Sequence, residues 1–313
     1  MNNRSWGPLA IIALFAASGD AARAQDVIDG SGGPCRLDLS LAGGVDWLGP
    51  VGRGYDIFSK AESYESVTVE IRHSGAACRF FLTGFDRSAG GRPSLANGSN
   101  ELVYDVLPTA NGPSLLSPDY FGSQQSRIEG MFPAGSSVQV VALLVAIPAG
   151  QIVRSGRYQG QAMLRLFSDI EGNPQLQGEA PLTITTRVPS ALVVNSPDFG
   201  GGARETNIDL GDLNGAAERE VQFEMRANAD VNMSFHSASG GVLSHANGAP
   251  GVRYEVLVRG APVDIASRDM VMLPFRPDGL DYDIPVQFRV PGQGASRAAG
   301  QYHDTLTITF NVP

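Results

Sequence analysis

From residue 25 onward the chain alternates apolar and polar positions in short runs, the period of a half-buried strand and not of an amphipathic helix. The clearest runs are 36–41, 66–72, 79–83, 101–107, 138–147 and 158–167, followed by 182–188. A second series runs through 191–195, 220–226, 231–235, 252–258, 284–290 and 305–312. Gly-, Pro-, Asn- and Ser-rich breaks separate them, as at Ala110-Asn111-Gly112-Pro113 and Gly240-Gly241. Gly and Asn tolerate positive φ and Pro fixes its own, so these clusters read as turns. The pattern predicts an all-β chain.

The two series match in order and composition. VTVEIR (67–72) aligns with VQFEMR (221–226), LVYDVL (102–107) with VRYEVL (252–257), and SGRYQGQ (155–161) with AGQYHDT (299–305). An internal duplication follows, with each unit a small antiparallel β-sandwich of immunoglobulin-like type. Pro189 cannot donate to a ladder and separates the last strand of the first unit from the first of the second. The expected boundaries are 25–188 and 189–313. The first unit has seven strands, whereas the second stops after its sixth at Pro313. A sandwich lacking one strand keeps an unpaired edge and an open apolar groove. The second unit is therefore expected to accept a strand from another polypeptide.

Composition narrows the class. With 32 acidic and 23 basic residues the formal charge is −9, which leaves no basic footprint for nucleic acid. Residues 1–24 read as a secretory signal peptide: Arg4, a short apolar stretch at 9–17, then Ala22-Arg23-Ala24 before the cut. No later run is long enough to span a bilayer as a helix. Export makes Cys35 and Cys78, the only two cysteines, an expected disulfide. Its loop of about 44 residues corresponds to roughly 4 kcal/mol in the chain-entropy picture.

Catalytic and cofactor motifs do not stand out. There is no G-x-S-x-G, no H-E-x-x-H and no phosphate loop, and Gly200-Gly201-Gly202 precedes no helix pattern. The four histidines show no metal-ligand spacing. Asp281 and Asp283 flank Tyr282 in what reads as a solvated turn. No metal or cofactor is expected. A carboxylate pair for glycoside hydrolysis, which depends on three-dimensional spacing, stays as a remote alternative.

The closing segment AGQYHDTLTITF (299–310) resembles the C-terminal motif of the spore coat protein U family, which includes pilins of archaic chaperone–usher pili. Phe199-Gly200, the tyrosine strand at Tyr254, Gly156-Arg157-Tyr158 and the Cys35/Cys78 pair fit the same template. One departure is that the second unit has no cysteine pair. Another is that Gly160 stands where the second unit has Asp304. The resemblance implies a pilin-type acceptor strand carrying Gly300, Tyr302, Asp304, Leu306, Ile308 and Phe310. It also implies a periplasmic chaperone that lends a strand, an outer-membrane usher, an adjacent pilin subunit as donor, and a cell-surface fimbrium reached through the periplasm.

Two-domain members of this family look like tip adhesins. Residues 25–34 (QDVIDGSGGP) are short and glycine-rich, a poor donor strand, as suits the end of a fibre. A non-tip pilin or a secreted coat or biofilm component is the alternative. If successive strands reverse direction, the far end of the first unit carries the loops 73–77, 108–137 and 168–180. The middle loop holds Leu115, Leu116, Tyr120, Phe121, Met131 and Phe132. Exposed, these would suit contact with an abiotic or host surface; folded back, they would form a small core under the loop. Residues 45–51, with Trp47, are expected to pack between the units.

Overall fold

The computed structural model describes residues 33–86, 91–200, 203–267, 269–276, 281–292 and 297–313. The signal-peptide reading of 1–24 and nearly all of the 25–34 segment lie outside the described residues.

The N-terminal half forms β1 (Arg36–Leu41), β2 (Val45–Trp47), β3 (Tyr64–Gly75), β4 (Cys78–Asp86), β5 (Ser94–Asn97), β6 (Asn100–Val103), β7 (Asp105–Leu107), β8 (Ile128–Phe132), β9 (Gly135–Ala146), β10 (Gly156–Ile170) and β11 (Asn173–Val188). The C-terminal half forms β12 (Leu192–Asn195), β13 (Ala217–Ala227), β14 (Val231–Ser237), β15 (Val242–His245), β16 (Val252–Arg253), β17 (Glu255–Val258), β18 (Ala261–Val263), β19 (Met270–Leu273), β20 (Asp281–Val290), β21 (Tyr302–His303) and β22 (Leu306–Asn311). The fold is all-β, with a short 3-10 turn at Gln124–Ser126.

In the N-terminal half, one sheet has the order β1-β3-β9-β7 and the other β2-β11-β10-β4-β8. In the C-terminal half the orders are β12-β13-β20-β17-β18 and β19-β14-β22, with a small β16-β15-β21 sheet beside them. Neighbours pair antiparallel except β2, which runs parallel to β11. The buried apolar side chains form two clusters. One spans Leu37 to Val188 and the other Ala217 to Val290. Alternation explains both. On β3, Val67, Val69 and Ile71 point inward, while on β20 Ile284, Val286 and Phe288 do.

Local geometry recurs between the halves. The hydroxyl of Tyr158 donates to the carbonyl of Arg154 at 2.7 Å, and that of Tyr302 to Ala298 at 3.1 Å, each four residues upstream. This is the tyrosine-corner arrangement of immunoglobulin-like sandwiches. Two residues before each tyrosine, Gly156 and Gly300 have φ of 147° and 143°. A Cβ there would meet Asn97 at 2.2 Å and His245 at 2.3 Å. The amide of Tyr104 donates to Pro93, and that of Tyr254 to Gly241, both at 3.1 Å. Gln159 pairs with Ala96 as His303 pairs with Ser244.

Several expectations need correction. Among the described residues each half has eleven strands, not seven and six, because the long runs are broken into short strands and the connections carry strands of their own. Residues 108–137 are not one loop, since β8 and the start of β9 lie within them. Residues 168–180 are not a loop, because β10 runs on to Ile170 and β11 begins at Asn173. The turn needs only Glu171 and Gly172, both at positive φ (54° and 82°), so the polar stretch around it is two strand arms. Residues 281–283 are the start of β20, paired with Arg226 to Glu224, and not a turn. Trp47 is buried in the first cluster, with its ring centroid 6.3 Å from that of Tyr55, rather than packed between halves. The connection at 189–191 is held by Asn228, which is fully buried. Its side-chain carbonyl accepts from the Ala191 amide at 2.8 Å, and its side-chain amide donates to Pro189 at 2.9 Å. Its backbone carbonyl accepts from the Ser155 amide at 2.8 Å.

Candidate functional site

The last strand is where the two halves diverge. β22 alternates Leu306, Ile308 and Phe310 inward with Thr307, Thr309 and Asn311 outward. One edge pairs with β14, from Asn232 opposite Asn311 to Ser237 opposite Leu306. Among the described residues no strand pairs with the other edge. Leu306, Ile308, Phe310 and the following Val312 reach the second cluster but stay only half-buried. β12, the edge strand of the other sheet of this half, packs its half-buried Leu192 and Val194 against the same cluster. Phe199, Phe223 and Phe310 form a row between the sheets, with centroid separations of 5.7 Å and 5.4 Å.

The counterpart in the N-terminal half is closed. Gly156 and Tyr158 of β10 correspond to Gly300 and Tyr302, which puts Ala162, Leu164 and Leu166 in the places of Leu306, Ile308 and Phe310. Those three are fully buried. The difference is β11, which pairs along all of β10 and sends Ala180, Leu182, Ile184, Thr186 and Val188 into the interior. Among the described residues nothing takes its place beside β22. Full burial of a Leu, Ile or Phe is worth ~1.5–3 kcal/mol, so each half-buried side chain here leaves about 1 kcal/mol unrealised. The free edge adds a row of backbone donors and acceptors that a further strand would satisfy.

Asp304 fixes the approach to β22. Its carboxylate accepts from the hydroxyls of Ser237 (2.5 Å) and Tyr254 (2.7 Å) and from the amides of Ser239 (3.0 Å) and Thr305 (2.8 Å). Burial pushes this carboxyl up, but hydrogen bonds led by those from Ser237 and Tyr254 outweigh it and hold the group below the usual carboxylate range. Burial, then the bond to Asp304, raises the Tyr254 phenol. The tyrosine strand and the closing motif therefore meet in one polar network, a relationship that sequence spacing alone did not reveal.

The residues expected on the 108–137 loop divide into two groups. Leu115, Leu116 and Phe132 are buried in the first cluster and cannot serve as surface contacts. Phe132 lies on β8, which pairs with β4, and stacks against Phe80 and His73 at 5.1 Å and 4.9 Å. Tyr120, Phe121 and Met131 are exposed by 50%, 40% and 71%. Tyr120 and Phe121 meet edge to face at 5.0 Å and both contact Phe167, which stacks on Phe81 at 4.8 Å. The Arg165 guanidinium lies between the rings of Phe85 (3.6 Å) and Tyr120 (4.6 Å), and its Nε donates to Glu179 at 2.8 Å. Sequence reasoning missed the support of Phe81, Arg165 and Phe167. Its signal was the doublets Phe80-Phe81 and Leu166-Phe167, which put a large apolar residue on each face of one sheet.

Cys35 and Cys78 are joined by a disulfide with Cα atoms 6.1 Å apart. His73 lies close to both sulfurs, but these belong to the disulfide and offer no thiolate to a metal. The Nε2 of His73 is 2.9 Å from the carbonyl of Ala76.

No protein-family model matches the chain, and a search of curated proteins finds no match. Among solved structures it is similar to the CupB6 tip adhesin from Pseudomonas aeruginosa (14% identity, 89% of this chain and 94% of that one, TM-score 0.44). It is also similar to a CsuC–CsuE chaperone–tip adhesion subunit pre-assembly complex from archaic chaperone–usher Csu pili of Acinetobacter baumannii (12% identity, 87% and 99%, TM-score 0.34). A third is the CooA pilin subunit from enterotoxigenic Escherichia coli (14% identity, 49% and 99%, TM-score 0.33).

Proposed function

We propose that the chain is a chaperone–usher pilus subunit whose C-terminal half, residues 189–313, accepts a strand, and whose N-terminal half, from residue 25 to 188, makes contact beyond the fibre. One observation carries this reading. β22 is paired on one edge with its apolar side chains half-exposed, whereas its counterpart β10 is flanked on both edges and fully buried. A donor strand from a periplasmic chaperone, and later from an adjacent pilin delivered through an outer-membrane usher, satisfies that edge and fills the interior together. The N-terminal half already holds its own closing strand in β11, so it needs no donor. Its exposed Tyr120, Phe121 and Met131 are the surface on offer, and the position we assign is the tip of a cell-surface fimbrium. The reading involves no catalytic step.

Co-expression with the cognate chaperone tests assembly. A stable one-to-one complex, lost when Ile308 is replaced by Asp, is the expected result. Antibody labelling of native fibres tests position: label at one end supports the tip, and label along the length contradicts it.

A further inference from the structure

His73 is a buried imidazole with one nitrogen left over. It is 4% exposed and sits on the inward face of β3, stacked on Phe132. Its Nε2 is 2.9 Å from the carbonyl of Ala76, which can only accept. Nε2 therefore donates, and in the neutral ring Nδ1 keeps a lone pair. Among the described residues that nitrogen has no hydrogen-bond partner. The hydroxyl of Ser137, opposite His73 on β9, is likewise shielded from solvent and without a partner among them. Two adjacent shielded polar groups of this kind mark a place built for something more than apolar packing.

The strand register brings both cysteines to this ring. Leu37 on β1 pairs with His73, and Cys35 stands two residues before Leu37, one diagonal step away on the same inward face. Cys78 begins β4 opposite Phe132, the residue on which the imidazole stacks. A ring nitrogen of His73 and the two Sγ atoms accordingly lie within 4.8 Å of one another. Zinc bonds of ~2.3 Å to sulfur and ~2.0 Å to nitrogen put tetrahedral ligand atoms about 3.5–3.8 Å apart, so shifts of about 1–2 Å bring all three to one ion once the sulfurs are separate.

The donor set selects the metal. Two thiolates and a neutral imidazole are zinc ligands, whereas calcium and magnesium need oxygen. The two thiolate charges balance those of Zn(II), which suits a buried position. A metal-bound histidine donates its other ring N–H to a carbonyl or carboxylate, and His73 already does so to Ala76. Cys35 is only half-buried, which leaves a path for the ion.

We propose that in the dithiol form of the chain Cys35, Cys78 and His73 bind Zn(II), with water in the fourth position. The ion then ties together the two segments that the disulfide joins in the oxidised form. Each thiol gives up a proton on binding. The site lies in the N-terminal half, so it is independent of strand acceptance.

The mature chain tests this after treatment with a phosphine. The S–S bond breaks, the phosphine takes oxygen from water and becomes its oxide, and two thiols form; the reagent is then removed without air. Co(II), a coloured stand-in for zinc, should give a thiolate charge-transfer band that saturates at one equivalent and disappears on addition of Zn(II). The disulfide form should give no such band. His73→Phe, which keeps a ring against Phe132, should weaken binding about 100-fold. His236→Asn, at an exposed histidine of the other half, should leave it unchanged. In the unaltered chain Zn(II) should shift the Nδ1 resonance of His73 and leave Nε2 protonated, a readout that decides even if His73→Phe folds poorly. No saturable band, equal binding by the disulfide form, undiminished affinity in a folded His73→Phe, or an unmoved Nδ1 resonance would overturn the proposal.

Discussion

Tyr254 and Asp304 lie fifty residues apart and share a hydrogen bond of 2.7 Å from phenol to carboxylate. The N-terminal half repeats the tyrosine but not the acid. Tyr104, the counterpart of Tyr254, donates to Asp86, and Gly160 stands where Asp304 would be. The tyrosine keeps a carboxylate partner in both halves, taken from β4 in one and from the approach to β22 in the other.

This network gives a pH prediction. The Asp304 carboxyl is held below its usual range, so its contribution to stability is present above the unfolded carboxylate range and is lost as pH falls through the folded value. Thermal melts of D304N should show a smaller loss between neutral and acid pH than those of the unaltered chain. Tyr254→Phe should cost about 1–2 kcal/mol at neutral pH, measured by denaturant unfolding.

The exposed and buried members of the 108–137 region should separate cleanly by mutation. Tyr120→Ser with Phe121→Ser should reduce attachment to hydrophobic surfaces while leaving the melting temperature nearly unchanged. Leu115→Ala, at a fully buried position, should cost ~2–5 kcal/mol. A crystal-violet attachment assay beside a melt distinguishes the two outcomes.

Reduction of the Cys35–Cys78 disulfide should destabilise the N-terminal half and spare the C-terminal one. The expected loss is ~2–5 kcal/mol. Calorimetry should show one transition shifted down by reductant while the other stays in place, and a C35S/C78S variant should melt like the reduced chain with no response to reductant.

Most of the fold was legible because strand alternation survives in single sequence. The inward Val67, Val69 and Ile71 and the inward Leu306, Ile308 and Phe310 are spaced at two. The open edge was expected from a count of six strands after Pro189, but eleven strands follow it, so the count failed and only the identity of the last, one-sided strand held. The reading of polar stretches as loops failed as well. Residues 168–180 read as a loop because their two strand arms are largely polar and alternate only weakly between buried Ser168 and buried Ala180. For Leu115 and Leu116 the folded-back alternative is the one that holds, and the sequence could not choose between the two because a long connection that folds back onto a sheet has no period of its own. The Asp304 network joins three segments, at 237–239, 254 and 304–305, and no local pattern marks such a meeting.

The strand that closes β10 predicts the strand that would close β22. Gly178 lies opposite Leu166, whose counterpart is Phe310, and Leu182 lies opposite Ala162, whose counterpart is Leu306. A peptide with alternating apolar residues, small opposite Phe310 and large opposite Leu306, should raise the melting temperature of the chain in proportion to the logarithm of its concentration. Ile308→Asp should abolish the effect.

Amide hydrogen exchange across residues 306–311, with and without such a peptide, tests the open edge most directly. The account predicts that the amides facing away from β14 exchange quickly in the chain alone and become slow when the peptide is bound. Uniform protection of all six residues in the chain alone, unchanged by peptide, would contradict it.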